Sequence, residues 1–173
     1  MKRKLIVILS GILTLILYIF LHESGHCIVA LACGARIVEF SILTAHMASV
    51  GGRFTYWSAL WHHANGLLFP LILSYVHMVF YQKKNTNQLY RIFSYFWAII
   101  SFFSIFPWFL IPIFYLCGYA PAGDDCTKFL IIFSLKYHPI FVSIGAVILM
   151  SISLLLMNKK HIITNFLNLM RET

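Results

Sequence analysis

The chain has 173 residues, of which 61% are hydrophobic, 17% aromatic and only 10% charged, against roughly 45–50% apolar in an average globular chain. A soluble domain of this length cannot hide so much apolar surface, because a large share of any small fold stays exposed. The formal charge of +8 comes from 13 basic and 5 acidic residues. The basic residues stand in short clusters between apolar runs, which suits membrane orientation and excludes a continuous basic face for nucleic acid.

The first apolar run, residues 5–21, follows Met1-Lys2-Arg3-Lys4 and continues through His22-Glu23-Ser24-Gly25-His26 to Ala32. About 17 apolar residues are enough to cross a bilayer as a helix. A basic start before an apolar run also marks secretory signal peptides. Here the rest of the chain is equally apolar and a polar cluster stands where a cleavage site would fall, so a membrane helix is expected. Residues 35–42 and 50–56 carry β-branched and aromatic side chains, with Gly51-Gly52 as a turn signal, and predict a small membrane-associated β-hairpin.

The second span covers residues 57–81 and ends at Gln82-Lys83-Lys84. The third covers 92–116 and contains Pro107 and Pro112, so a kink or break is expected near its middle. A turn-rich stretch, 118–123, leads to Asp124-Asp125 and a short apolar segment, 129–135. The last span covers 139–157 and stops at Asn158-Lys159-Lys160. The expected fold is an all-α polytopic membrane protein with about four transmembrane helices, one short helix and a hairpin after the first helix. It forms a single domain over residues 1–173. Cys27, Cys33, Cys117 and Cys126 form no CxxC pair and read as free thiols.

The five acidic residues point to the chemistry. A carboxylate at the centre of a bilayer costs roughly 2.5–3.5 kcal/mol even on the lenient insertion scale, so one kept there has a partner and a task. Glu23 lies inside an HExxH pattern. Residues four apart on a helix differ by about 40° in azimuth and about 6 Å in height, so His22 and His26 face one side. That spacing suits two nitrogens on one Zn²⁺, with Glu23 beside them to accept a proton from activated water.

A catalytic zinc needs a third protein ligand. Asp124 and Asp125 are the candidates, since the third span returns them to the face of the membrane where the histidines lie. One aspartate can also cap the short helix while its neighbour binds metal; spacing leaves the order open, with Asp125 favoured. His46, His62, His63, His77, His138 and His161 read as interfacial or packed residues. Asn65 reads either as a helix-packing residue beside Gly66 or as a hydrogen-bond donor to a developing oxyanion.

The segment from His22 to Ile42 resembles the HExGHxxxAxxxGxxVxxFxIG-type stretch of the site-2 proteases, intramembrane zinc metalloproteases. Gly51-Gly52 with the apolar strand after it resembles that family's membrane-associated hairpin. The resemblance implies His22 and His26 as zinc ligands, Glu23 as catalytic base, and Asp124 or Asp125 in place of the aspartate of the family's LDG motif. Gly123-Asp124-Asp125 stands where that triplet would be, and the form is a minimal one with no PDZ domain. The implied activity is hydrolysis of a peptide bond in or near a transmembrane segment or signal or leader peptide of a membrane substrate. An extended substrate would add a strand to the hairpin edge. The alternative on the same scaffold is a non-proteolytic zinc-binding membrane adaptor or immunity-type protein. Nine basic residues (Lys2, Arg3, Lys4, Lys83, Lys84, Arg91, Lys159, Lys160, Arg171) fall on one side of the four-span arrangement and Arg36, Arg53, Lys128 and Lys136 on the other. The positive-inside rule therefore predicts cytoplasmic termini and a zinc nearer the outer face.

Overall fold

The structure, a computed structural model, describes residues 2–171. It is mostly helical: α1 (Lys2–Ala32), a two-stranded hairpin of β1 (Ala35–Ser41) and β2 (His46–Gly51), then α2 (Tyr56–Phe80), α3 (Gln88–Phe103), α4 (Phe106–Leu116), α5 (Asp125–Phe133), α6 (Ile140–Lys159) and α7 (Ile162–Arg171). Four helical segments are long and apolar enough to cross a membrane: Lys4–Ala32, Tyr56–Phe80, Gln88–Leu116 and Ile140–Lys159. Their outer faces carry large apolar side chains with no protein cover, such as Ile8 and Leu13 on α1 and Phe141, Ile148 and Leu155 on α6.

The third segment breaks between Phe103 and Phe106. Pro107 cannot donate to the Phe103 carbonyl and its ring crowds that oxygen, so the helix stops and restarts with the proline in its first turn. Pro112 remains inside α4 and Pro70 inside α2, both buried. Leu67, Leu71, Ile105 and Ala146 form a buried apolar cluster that joins α2, the break and α6. Met78, Tyr81, Ala98, Met157 and Ile162 close the opposite end.

Two expectations are corrected. The second strand is His46–Gly51 rather than 50–56, and Gly51-Gly52 ends it instead of turning it. Both glycines have positive φ, 75° and 81°, which breaks the extended ladder and sends the chain into α2. The reversal is made by residues 42–45, with Ala45 at φ 46°. The strands pair antiparallel from Ala35↔Gly51 to Ser41↔His46, with a bulge between Ile37 and Glu39. Beyond the expected elements lies α7, whose Ile162, Phe166 and Leu169 share one face. Phe166 stacks on Tyr95 of α3 with ring centroids 3.9 Å apart.

Candidate metal centre

The site forms where α1 and α2 cross closely. Gly25 and Gly66 permit the crossing: a Cβ at Gly25 would stand 2.2 Å from the Asn65 carbonyl oxygen, and one at Gly66 would stand 2.4 Å from His26 Nε2. Asn65 braces the contact, its Nδ2 donating to the Gly25 carbonyl at 2.7 Å. This is the packing role expected for Asn65, which is not among the residues lining the cavity.

α5 supplies the third member. Its Cys126 and Leu130 pack with Ile111 of α4, which fixes the rotation of the helix. Asp124 is the N-cap: Oδ1 accepts from Thr127 N at 3.1 Å and Oδ2 from the Thr127 hydroxyl. Both of its oxygens are thus engaged within the α5 cap. Asp125, the next residue, turns to the histidines. Its Oδ2 lies 3.1 Å from His22 Nε2 and 3.0 Å from His26 Nε2, and the two nitrogens lie 3.3 Å apart. Burial alone would raise the Asp125 carboxyl; contacts with His22, His26 and His63 outweigh it and hold it well below the usual carboxylate range.

The tautomers show what this triangle can hold. His26 Nδ1 lies 2.6 Å from the His62 carbonyl oxygen, which can only accept, so Nδ1 carries the proton. In neutral His26 the lone pair on Nε2 then points at a carboxylate oxygen and at a second imidazole nitrogen. With the proton of His22 on Nδ1 as well, three lone-pair-bearing atoms would converge on one point, and a cation there would relieve their repulsion. A tetrahedral zinc with bonds of 2.0–2.1 Å spaces its ligand atoms about 3.3–3.4 Å apart, within a few tenths of an ångström of the three separations. Two imidazoles and one carboxylate also match the donor set of catalytic zinc, which leaves a position open. His22, His26 and Asp125 are therefore the group that could hold a metal ion.

The triangle opens into a cavity of about 450 Å³ between α1, the hairpin turn, α2 and α5. Glu23 lines it although the residue is only 4% exposed, and no described residue hydrogen-bonds its carboxylate. Tyr18, His46, His63 and Lys128 are also among the residues lining it. His46, Nε2 3.9 Å from Glu39 Oε2, and His62 and His63 also line the cavity. The carbonyl of His62 orients His26, and His63 Nδ1 lies 3.8 Å from Asp125 Oδ1. The run Trp61-His62-His63 carries no signal for this, because which way it faces depends on how α2 is rotated against α5. His77 is packed away from the site, Nε2 2.8 Å from Ser94 Oγ. No family model, curated protein or solved structure matches this chain, so its reading rests on the geometry above.

Proposed function

We propose that this chain is an intramembrane zinc metallopeptidase that hydrolyses a peptide bond in or near a transmembrane segment of a membrane substrate. The observation that carries the proposal is the convergence of His22, His26 and Asp125 within 3.0–3.3 Å, in one cavity with a buried glutamate. His22 Nε2, His26 Nε2 and Asp125 Oδ2 would hold the ion. Zinc, when bound, supplies a Lewis acid that polarises a carbonyl and brings the pKa of water towards about 7.

Each remaining role belongs to the chain. The His62 carbonyl keeps the proton of His26 on Nδ1, which leaves Nε2 free to ligate. The carboxylate of Glu23 accepts the proton of the attacking water and returns it to the leaving amine nitrogen, so that water is added across the amide bond with no net proton change. The helices and the hairpin turn limit bulk water. A helical substrate hides its carbonyls and must unwind locally; the open edges of β1 and β2 suit an extended segment. We place the four apolar helical segments across the bilayer. The end bearing Lys83, Lys84, Arg91, Lys159 and Lys160 then faces the cytoplasm, by the positive-inside rule, and the site lies towards the other face.

Purified protein in detergent or nanodiscs, assayed for zinc by elemental analysis and for cleavage of model transmembrane peptides, tests this. Glu23→Gln is expected to keep stoichiometric zinc and lose about 10²–10⁴-fold in rate. Undiminished cleavage by that variant, or wild-type protein without zinc, sinks the proposal.

A further inference from the structure

The second turn of α2 meets the site through two consecutive residues. The His62 carbonyl orients His26. One residue on, the His63 ring lines the cavity with its Nδ1 3.8 Å from Asp125 Oδ1. Oδ2 of the same carboxylate faces both ligand nitrogens. Among the described residues Oδ1 accepts no hydrogen bond, and the His63 Nδ1 lies 3.8 Å from it.

A carboxylate ligand has two ways to bind. With Oδ1 free, rotation about the Cβ–Cγ bond lets both oxygens approach one ion, which raises the coordination number and occupies the position a substrate carbonyl needs. An N–H held against Oδ1 opposes that rotation. The gap of 3.8 Å exceeds a direct hydrogen bond and is closed by a side-chain adjustment or one bridging water. Asp125 sits in the first turn of α5, whose rotation is fixed by Cys126 and Leu130, so the adjustment falls to His63. The ring also lies against His62, at 5.1 Å between centroids.

We propose that His63 is a positioning residue for Asp125: through its Nδ1–H it holds Oδ1, so that the carboxylate presents Oδ2 alone to the metal. The inference rests on the metal-site reading above and adds a member to it. Hydrogen-bond partners of ligating carboxylates typically account for 10–100-fold in metal affinity.

The test measures zinc affinity by competition with a chromophoric chelator and the visible spectrum of the Co²⁺-substituted protein, neither of which needs turnover. His63→Phe keeps the ring and removes the N–H; it is expected to weaken zinc binding 10–100-fold. Its cobalt bands should also lose intensity, as they do when a fourth contact becomes a fifth. His63→Asn puts an amide N–H where Nδ1 stands and is expected to restore most of both signals. Loss of packing alone would not be rescued by asparagine, and circular dichroism checks that both variants keep their helix content. Wild-type affinity and spectrum in His63→Phe overturn the proposal. So does a cobalt spectrum that shows a nitrogen donor lost in both variants, since His63 would then be a ligand itself. Wild-type protein that binds neither ion defeats the metal site altogether, an outcome distinct from failure of His63 alone.

Discussion

One added methyl group at Gly66 should disable the metal site without altering any donor. The Cβ of Gly66→Ala would stand 2.4 Å from His26 Nε2 and 2.8 Å from His22 Cε1, about 1 Å inside ordinary contact between non-bonded heavy atoms. Neither obvious relaxation preserves the site. His26 cannot rotate away without losing the 2.6 Å contact from Nδ1 to the His62 carbonyl, and that carbonyl lies on the same helix one turn before the new methyl. Moving α2 away from α1 breaks the 2.7 Å bond from Asn65 to the Gly25 carbonyl. Metal sites tolerate about 0.2 Å in ligand distance, so a shift near 1 Å is about five times the allowance. Overpacking of this kind costs about 1–3 kcal/mol, and at 1.4 kcal/mol per decade zinc affinity should fall about 10–100-fold. Chelator competition on purified protein measures it. Gly145→Ala is the control: it lies in α6, its Cβ meets nothing within 4 Å, and alanine there should stabilise by about 0.5–1 kcal/mol. Wild-type zinc affinity in Gly66→Ala would refute the reasoning, because the donors could then shift freely.

The two aspartates should separate cleanly. Asp124→Ala removes the α5 cap and is expected to lower stability by about 0.5–2 kcal/mol with zinc retained, whereas Asp125→Ala should lose zinc; thermal unfolding and elemental analysis on both variants decide it, and zinc lost only from Asp124→Ala would reverse the assignment. Asn65→Ala breaks a buried inter-helix hydrogen bond and should cost about 1 kcal/mol of stability, with kcat falling less than tenfold. A drop of 10²–10³ in kcat, the signature of a lost oxyanion donor, would return Asn65 to the chemistry.

What was legible in the sequence follows how local each feature is. His22, Glu23 and His26 lie within two turns of one helix, so their shared face is set by helix geometry alone. The break before Pro107 is equally local, since the clash is with the carbonyl four residues back. Asp124 and Asp125 were not separable by spacing, because shifting the start of α5 by one residue exchanges cap and ligand. The shift is settled by Thr127, which binds Asp124 through both its N–H and its hydroxyl. His63 was illegible for a tertiary reason: Trp61-His62-His63 has the composition of an interfacial belt, and its address to Asp125 exists only once α5 has docked. The hairpin misled through Gly51-Gly52, a strong turn signal used here as a strand terminator, while the true reversal at 42–45 contains no glycine. In α7 the apolar positions Ile162, Phe166 and Leu169 follow helical spacing, but ten residues are too few to read as a span.

In the proposed metal site, the tandem aspartate would make a short helix a ligand arm. α5 spans nine residues, roughly 13 Å at 1.5 Å per residue, and starts at the site. A helix N-terminus exposes N–H groups that draw in any nearby carboxylate. A lone aspartate at that junction would be pulled into capping and away from the metal. With Asp124 closing the cap on Thr127, Asp125 is left free in the first turn, where the helix dipole still favours its negative charge. Its neighbours Cys126 and Leu130 anchor the helix on Ile111, so the direction of Asp125 is set by packing rather than by a flexible loop. On α1 the two histidines are held by a helix that continues past them to Ala32, and on α2 Gly66 leaves room for their rings. Three donors from two helices that never adjoin in sequence thus meet because each is fixed from behind by a contact that makes no demand on the donor atoms themselves.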